Sequence, residues 1–298
     1  MREVSVRAPA KINLHLGVGP VRPDGFHPLA TAYQAISLFS TVTARPNAQW
    51  EITCETRPGI DGGGVPLGAS NLALRAARLL ADHAGVDRPV SLHIDKGIPV
   101  AGGLAGGSAD AAAALRACAA LWELGLPDAE LLTLAGRLGS DVPFALVGGS
   151  AAGLGRGELV EPLADNGRYD WVVLTFDEGL STPAAYREFD ALHAEAVVPE
   201  PEIPSALLDA LAAGSATALA RVVGNDLQAA SLRLRPALAE PLAAGVERGA
   251  LAALLSGSGP TCLFLCSDSD HAESVAAGLT TYGRVLHAHG PVTGATIL

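Results

Sequence analysis

The 298-residue sequence predicts an α+β architecture of two lobes with a cleft between them. Three observations carry that expectation. Over 1–50 apolar and polar positions alternate at strand period, as in Val4 and Val6 and again in Ile12, Leu14 and Leu16. Next, two glycine pairs, Gly102-Gly103 and Gly106-Gly107, lie between a strand-type and a helix-type pattern. Finally, beyond Gly149 the mixed succession of strands and helices begins afresh.

Taken in order, the early strands are separated by Arg22-Pro23-Asp24-Gly25, a strong turn signal. Strand patterns follow over 29–43 and 50–55, then a loop rich in Gly and Pro over 58–68. Ser70 reads as the N-cap of a helix carrying Leu72, Ala76, Leu79 and Leu80 at helical spacing. A strand over 90–95 leads through the glycine pairs into an alanine-rich helix that opens near Ser108 and runs to about 123. Its small side chains suit close packing against a sheet. Pro127-Asp128 starts another helix that ends near Gly139, and Ser140-Asp141-Val142-Pro143 follows. In the second half, 171–176 is a buried-type strand, 183–189 a short helix, and 197–204 a proline-rich surface connection. Helices continue to about 248. Two strand-like runs, 251–255 and 261–266, then form a hairpin around Ser256-Gly257-Ser258-Gly259-Pro260. A helix from Asp270 and a strand from Arg284 complete the chain, which has no internal repeat.

Composition narrows the class. Hydrophobic residues make up 49% and charged residues 17%, as in a globular protein, and with aromatics at 4% the core is mostly Leu, Val and Ala. A net charge of −11 opposes nucleic acid and anionic membranes as partners, so a phosphorylated ligand must be held by local donors. The apolar stretches are too short or too interrupted to span a bilayer. Met1-Arg2-Glu3-Val4 lacks the apolar core of a signal peptide, and a cytoplasmic location is expected. Cys54, Cys118, Cys262 and Cys266 form no Cys-x-x-Cys pair, and no His stands at zinc-site spacing, which reads as buried reduced thiols. His287-Ala288-His289 is open to a metal reading and to that of a strand end with outward-facing histidines, which is the reading favoured.

The glycine pairs point to chemistry. Glycine lets backbone N–H groups turn toward a ligand, and a helix start adds orphan donors and partial positive charge. Together they make an anion cradle suited to phosphate. No Gly-Lys-Ser/Thr closes the segment as in a Walker P-loop, and no Gly-x-Gly-x-x-Gly occurs in it. A flexible loop in an alanine-rich chain is the alternative. Of 20 basic residues 18 are Arg and only Lys11 and Lys96 are Lys, which suggests sites that need a compact ammonium.

Three motifs stand in order: Pro9-Ala10-Lys11-Ile12-Asn13-Leu14, the loop from Pro99 to Ala109, and Leu255-Ser256-Gly257-Ser258-Gly259-Pro260. This order resembles the GHMP kinase superfamily over nearly the whole chain. Arg22-Pro23-Asp24-Gly25-Phe26-His27, Ser140-Asp141-Val142-Pro143-Phe144 and Asn225-Asp226-Leu227 add to the likeness. They resemble the branch that phosphorylates the 2-hydroxyl of 4-diphosphocytidyl-2-C-methyl-D-erythritol in non-mevalonate isoprenoid synthesis. The resemblance implies the two-lobed GHMP kinase fold with the active site in the cleft. It implies an ATP-binding N-terminal domain over 1–157 and a C-terminal domain over 158–298. It also implies ATP as co-substrate with Mg2+, and a small-molecule acceptor.

Residue roles follow from the same resemblance. Asp141 is expected to take the proton of the substrate hydroxyl, and Lys11 to orient that Asp and stabilise the transferring phosphoryl. Asp141 read alone is equally a cap or turn residue beside Pro143. Asn71, Lys96 and the run Pro99, Val100, Ala101, Gly102, Gly103, Leu104, Ala105, Gly106, Gly107, Ser108 and Ala109 are expected at the nucleotide, although Asn71 is also a plausible first residue of a helix. Relatives often carry Gly where this chain has Ala101 and Ala105, whose methyls narrow the φ > 0 options. Phe26 and His27 are expected at the cytidine end, with Thr182 and Tyr186 on its second side and Asn13 and His15 toward the methylerythritol. Phe26 as an ordinary hairpin core residue is the alternative. The other readings are a homoserine- or mevalonate-type kinase, a non-catalytic ligand-binding regulator of the same fold, and a decarboxylase relative.

Overall fold

The computed structural model describes residues 3–60, 64–100 and 102–298. Ala101, expected in the phosphate loop, lies outside the described residues.

Two long antiparallel strands, β1 (Val4–Val18) and β2 (Leu29–Pro46), form the centre of the first sheet. β3 (Glu51–Thr56) follows, then α1 (Leu72–Ala84), β4 (Val90–Lys96) and α2 (Gly106–Leu121). Next come α3 (Asp128–Leu138), α4 (Val142–Val147), β5 (Ser150–Leu154) and β6 (Leu159–Pro162). The second half holds β7 (Tyr169–Thr175), α5 (Thr182–Leu192), α6 (Ser205–Ala212) and α7 (Ala216–Leu219). β8 (Gly224–Asn225), α8 (Gln228–Leu234), α9 (Ala239–Glu247), β9 (Ala252–Leu255) and β10 (Cys262–Cys266) succeed them. The chain ends in α10 (Ser269–Ala277), β11 (Arg284–Gly290) and β12 (Thr296–Ile297).

The first sheet runs β12-β1-β2-β4-β3, with the β5–β6 hairpin paired to β2 and β8 paired to β1. The second is antiparallel in the order β11-β7-β10-β9, and the expected hairpin of the second half is its β9–β10 pair. One strand from each sheet is joined by a buried hydrogen bond, Trp171 Nε1 donating to Gln34 Oε1 at 3.0 Å. α2 packs on β1 and β2 and is buried on most of its faces, and six of its eleven buried residues are Ala, small enough for close approach to the sheet. Among the described residues no helix is long and apolar enough to cross a membrane.

Two local expectations are corrected. The cap of α1 is Asn71 rather than Ser70. Asn71 has extended backbone, and its Oδ1 accepts from Ala73 N at 2.8 Å and Leu74 N at 3.4 Å. The alanine-rich helix starts at Gly106, one half-turn before Ser108. Pro143 sits in the first turn of α4, where its missing N–H has no helical partner to lose.

Two register shifts interrupt the β1–β2 ladder, between Pro9 and Ala10 and between Asn13 and His15. They bracket the segment that carries Lys11 and Asn13. The second leaves Leu14 without an opposite partner and shifts the alternation by one residue. Leu16, not His15, therefore reaches the wall of the cleft.

Candidate active site

A cleft of about 820 Å³ opens between the end of β1, the glycine-rich loop and α5. Lys11, Asn13, Phe26, His27, Asn71, Lys96, Asp141, Thr182 and Tyr186 all line it, as do Pro99, Val100, Gly102, Gly103, Ala105, Gly106 and Gly107. Leu104 and Ala109 are buried beneath the loop, and Ser108 is not part of the wall. His15 also lies outside the wall, its Nε2 bonded to the Glu202 carbonyl at 3.1 Å.

The loop is braced by the third motif and by Thr261, which follows it. Ser256 Oγ donates to Gly103 O at 2.7 Å and Thr261 Oγ1 donates to Gly102 O at 2.9 Å. A methyl at Gly103, where φ is +100°, would collide with the Ser256 carbonyl oxygen, so this close approach requires glycine. Ala105 stands in the left-handed region at φ +55° as the N-cap of α2, and it offers no side-chain cap. The first-turn N–H groups of that helix are thus left without a capping side chain, as a phosphate site needs.

Lys96 is 2% exposed, and its Nζ donates to Gly106 O at 2.8 Å and to Asp110 Oδ2 at 2.5 Å. Burial pushes the Asp110 carboxyl up, against the pull of Lys96. Asp110 went unforeseen because it is one polar residue in an alanine helix.

Beside the loop, whose Leu104 carbonyl accepts from Lys11 N at 3.2 Å, Lys11 is 7% exposed and its Nζ donates to Asn13 Oδ1 at 2.8 Å. Asn13 Nδ2 donates to Thr31 Oγ1 at 2.8 Å, and Thr31 donates on to the His15 carbonyl at 2.6 Å. Lys11 Nζ stands 3.9 Å from Asp141 Oδ2, close enough to pair charges but beyond hydrogen-bond length. Asp141 occupies the N-cap position of α4 yet makes no capping bond. Its Oδ1 instead accepts from the Tyr33 hydroxyl at 3.2 Å. Burial and the neighbouring Asp141 charge hold the Tyr33 hydroxyl well above the ordinary tyrosine pKa. Nothing local in the sequence marked Tyr33.

Phe26 is 50% exposed, which removes the core reading, and the Arg156 guanidinium lies 5.2 Å from its ring centre. His27 is buried, with Nδ1 bonded to Gly19 O at 2.9 Å and Nε2 3.6 Å from Asp190. Its ring stacks on Tyr186 at 5.1 Å. Thr182 Oγ1 and Ser258 Oγ lie 2.8 Å apart and tie the start of α5 to the third motif. Asn225 Nδ2 donates to Leu255 O at 2.9 Å and Gly257 O at 2.7 Å, and Asp226 accepts from Val18 N at 2.9 Å. The Asn225-Asp226-Leu227 motif thus fastens β1 to the third motif.

An uncapped helix start beside a carboxylate flanked by an ammonium and a phenol is equipped to hold phosphate and to accept a proton next to it. Residues 71–149 match the family described as GHMP kinases N terminal domain, and residues 207–285 match GHMP kinases C terminal. The chain belongs to the GHMP kinases. It is therefore an enzyme that uses ATP as co-substrate and acts on a small molecule. The 4-diphosphocytidyl-2-C-methyl-D-erythritol kinase of Nocardioides sp. is 55% identical over 98% of this chain and 99% of its own length. The protein of the same name from Streptomyces avermitilis is 53% identical over 99% of each chain. A crystal structure of 4-(cytidine 5'-diphospho)-2C-methyl-D-erythritol kinase superposes with a TM-score of 0.78 at 34% identity, covering 96% of this chain and 98% of that one. Homoserine kinase from Cytophaga hutchinsonii shares the fold at 18% identity, with a TM-score of 0.73 over 100% of this chain and 98% of that one.

Proposed function

We propose that this chain transfers the γ-phosphoryl group of ATP to the 2-hydroxyl of 4-diphosphocytidyl-2-C-methyl-D-erythritol, a step of non-mevalonate isoprenoid synthesis. The observation that carries the chemistry is the Asp141 carboxylate between the Tyr33 hydroxyl and the Lys11 ammonium, in the cleft lined by the glycine-rich loop. The names and identity of the relatives support the choice of acceptor.

Asp141 takes the hydroxyl proton as the substrate oxygen bonds to the γ-phosphorus. The bond from that phosphorus to the β–γ bridging oxygen breaks, and ADP leaves with the electron pair. Lys11, steadied by Asn13, neutralises charge on the transferring group. His15 acts from behind, its carbonyl fixing Thr31 and through it Asn13. Backbone donors of the run from Pro99 to Ala109 hold the triphosphate, with Lys96 and Asn71 shaping the nucleotide side. Phe26 stacks on cytosine, while His27, Thr182 and Tyr186 close the second side.

Mg2+ bound to nucleotide keeps waters and needs only one or two carboxylates besides phosphate. Among the described residues no group of three His, Cys, Asp or Glu forms a metal cage, and Asp110 Oδ1 makes no hydrogen bond to protein. Asp110 fits as a ligand for an ion that arrives on ATP and neutralises phosphate charge. We divide the lobes near the expected 157/158 boundary, the nucleotide side belonging to the first. The turn of the β5–β6 hairpin straddles that boundary, which favours a break between Pro162 and Tyr169. A cytoplasmic setting fits an ATP-using enzyme with free cysteines.

ADP release measured with the diphosphocytidyl substrate, homoserine and mevalonate tests the assignment. Turnover is expected with the first alone, and comparable turnover with either of the others overturns it. In Phe26→Ala, loss of a base stack of about 1–3 kcal/mol raises the KM for the cytidyl substrate and leaves that for ATP unchanged. Equal loss for both substrates would assign the ring to folding.

A further inference from the structure

The geometry points to Tyr33 as the positioning residue for Asp141: its hydroxyl occupies Oδ1, so that Oδ2 is the oxygen left to accept the substrate proton on the Lys11 side. This rests on Asp141 acting as the base.

Tyr33 touches both members of the pair. Its hydroxyl donates to Asp141 Oδ1 at 3.2 Å, and Lys11 Nζ lies 5.6 Å from its ring centre. The side chain has little freedom. The residue is 2% exposed and sits in the centre of the first sheet, its backbone paired with Asn13 on β1 and Ala151 on β5. The ring packs on Phe144 of α4 at 4.8 Å, in the same short helix that Asp141 begins.

Two glycines complete the mould. A methyl at Gly153 would strike the ring edge, and one at Gly157 would strike the hydroxyl oxygen itself. A phenol held this firmly fixes one carboxylate oxygen and with it the plane of the other. That accounts for a carboxylate at an N-cap position that forgoes the capping bond. Burial and the Asp141 charge keep the hydroxyl protonated, so it serves only as a donor. The other ionisable groups around the pair are Lys11 on β1, Tyr186 on α5, and Glu158 with Arg156 beyond β5.

The test is Tyr33→Phe in the full chain, assayed with ATP and the diphosphocytidyl substrate. The ring and its packing are retained, so folding is expected to survive. Loss of a hydrogen bond to a charged group predicts a fall in kcat of about 10- to 150-fold, with the KM for ATP unchanged. The acidic limb of the kcat–pH profile moves to higher pH, because a carboxylate deprived of a donor becomes more basic. A merely structural role would not move that limb.

A Tyr33→Phe enzyme within twofold of wild type in kcat, or one that is slower with an unmoved acidic limb, overturns the proposal. Asp141→Asn separates the two readings. If that variant is inactive while Tyr33→Phe is normal, the positioning role alone fails. If Asp141→Asn is active, the base assignment fails and the proposal falls with it.

Discussion

Asp141 and Lys96 illustrate how differently two charged residues of one cleft are employed. Asp141 is paired loosely, with Lys11 at 3.9 Å, and about a third of its side chain is open at 30%. Such a carboxylate stays available for proton transfer. Asp141→Asn keeps its shape and removes the acceptor, so kcat should fall about 10²–10⁴-fold while ATP binding, followed by titration calorimetry, persists. Turnover within a few-fold of wild type would exclude Asp141 as the base. Lys96 is locked instead, against Asp110 and the Gly106 carbonyl. Lys96→Met leaves a buried carboxylate without its partner and should cost about 3–5 kcal/mol in chemical denaturation. Replacing both members, Lys96→Met with Asp110→Leu, should restore most of that stability. If the single variant melts like wild type, the pair does not hold the loop.

At the scale of elements, the start of α2 carries a local conflict. Ala105 adopts φ +55°, a conformation that costs an L-residue about 1–2 kcal/mol and glycine almost nothing. The loop keeps this turn because neighbouring contacts over-determine it: Thr261 and Ser256 grip Gly102 and Gly103, and the Ala105 carbonyl already accepts from Ala109 N at 3.0 Å. Ala105→Gly should therefore raise stability by about 0.5–1 kcal/mol, part of the relief being offset by glycine's greater freedom in the unfolded chain. Ala105→Val should lower it. Melting curves of the two variants check the sign, and a glycine variant less stable than wild type would show that the methyl packs favourably. In β1 the second register shift has the opposite effect, since it moves His15 out of the cleft by one step of alternation.

At the scale of the molecule, joints between elements distant in sequence hold half-buried imidazoles. His15 lies where β1 meets β8 and the Glu202 carbonyl, and the backbone N–H of His289 on β11 donates to Ser37 Oγ of β2. Burial holds both rings below the usual histidine pKa of 6.5, for His15 against the pull of Asp226 and for His289 with Arg168 adding to the effect. The unfolded chain then binds protons first as pH falls below about 6.5, so stability should rise with pH across the histidine range and be lost on acidification. Thermal melts between about pH 5 and 7.5 should show this slope, and His15→Asn should flatten it. A Tm independent of pH in that window would show that neither joint is sensitive to protonation.

The sequence by itself determined the pieces whose signals are local. Glycine pairs before a helix, alternation along β1, and two lysines in an arginine-rich chain located the loop, Lys11 and Lys96. The motif order carried the fold and Asp141. Tertiary structure alone decided which oxygen of Asp141 is free, because the Tyr33 hydroxyl comes from 108 residues away. It decided that Lys96 meets Asp110 and that Ser256 braces Gly103, a contact spanning 153 residues. It also decided between Ser70 and Asn71 as a cap, since either side chain can accept the bond and only the backbone path sets which one does. Residue type and spacing encode conformational preference, which acts along the chain. Hydrogen bonds and burial act through space, and the folding of β2, the loop and the third motif around one cleft brings those partners together.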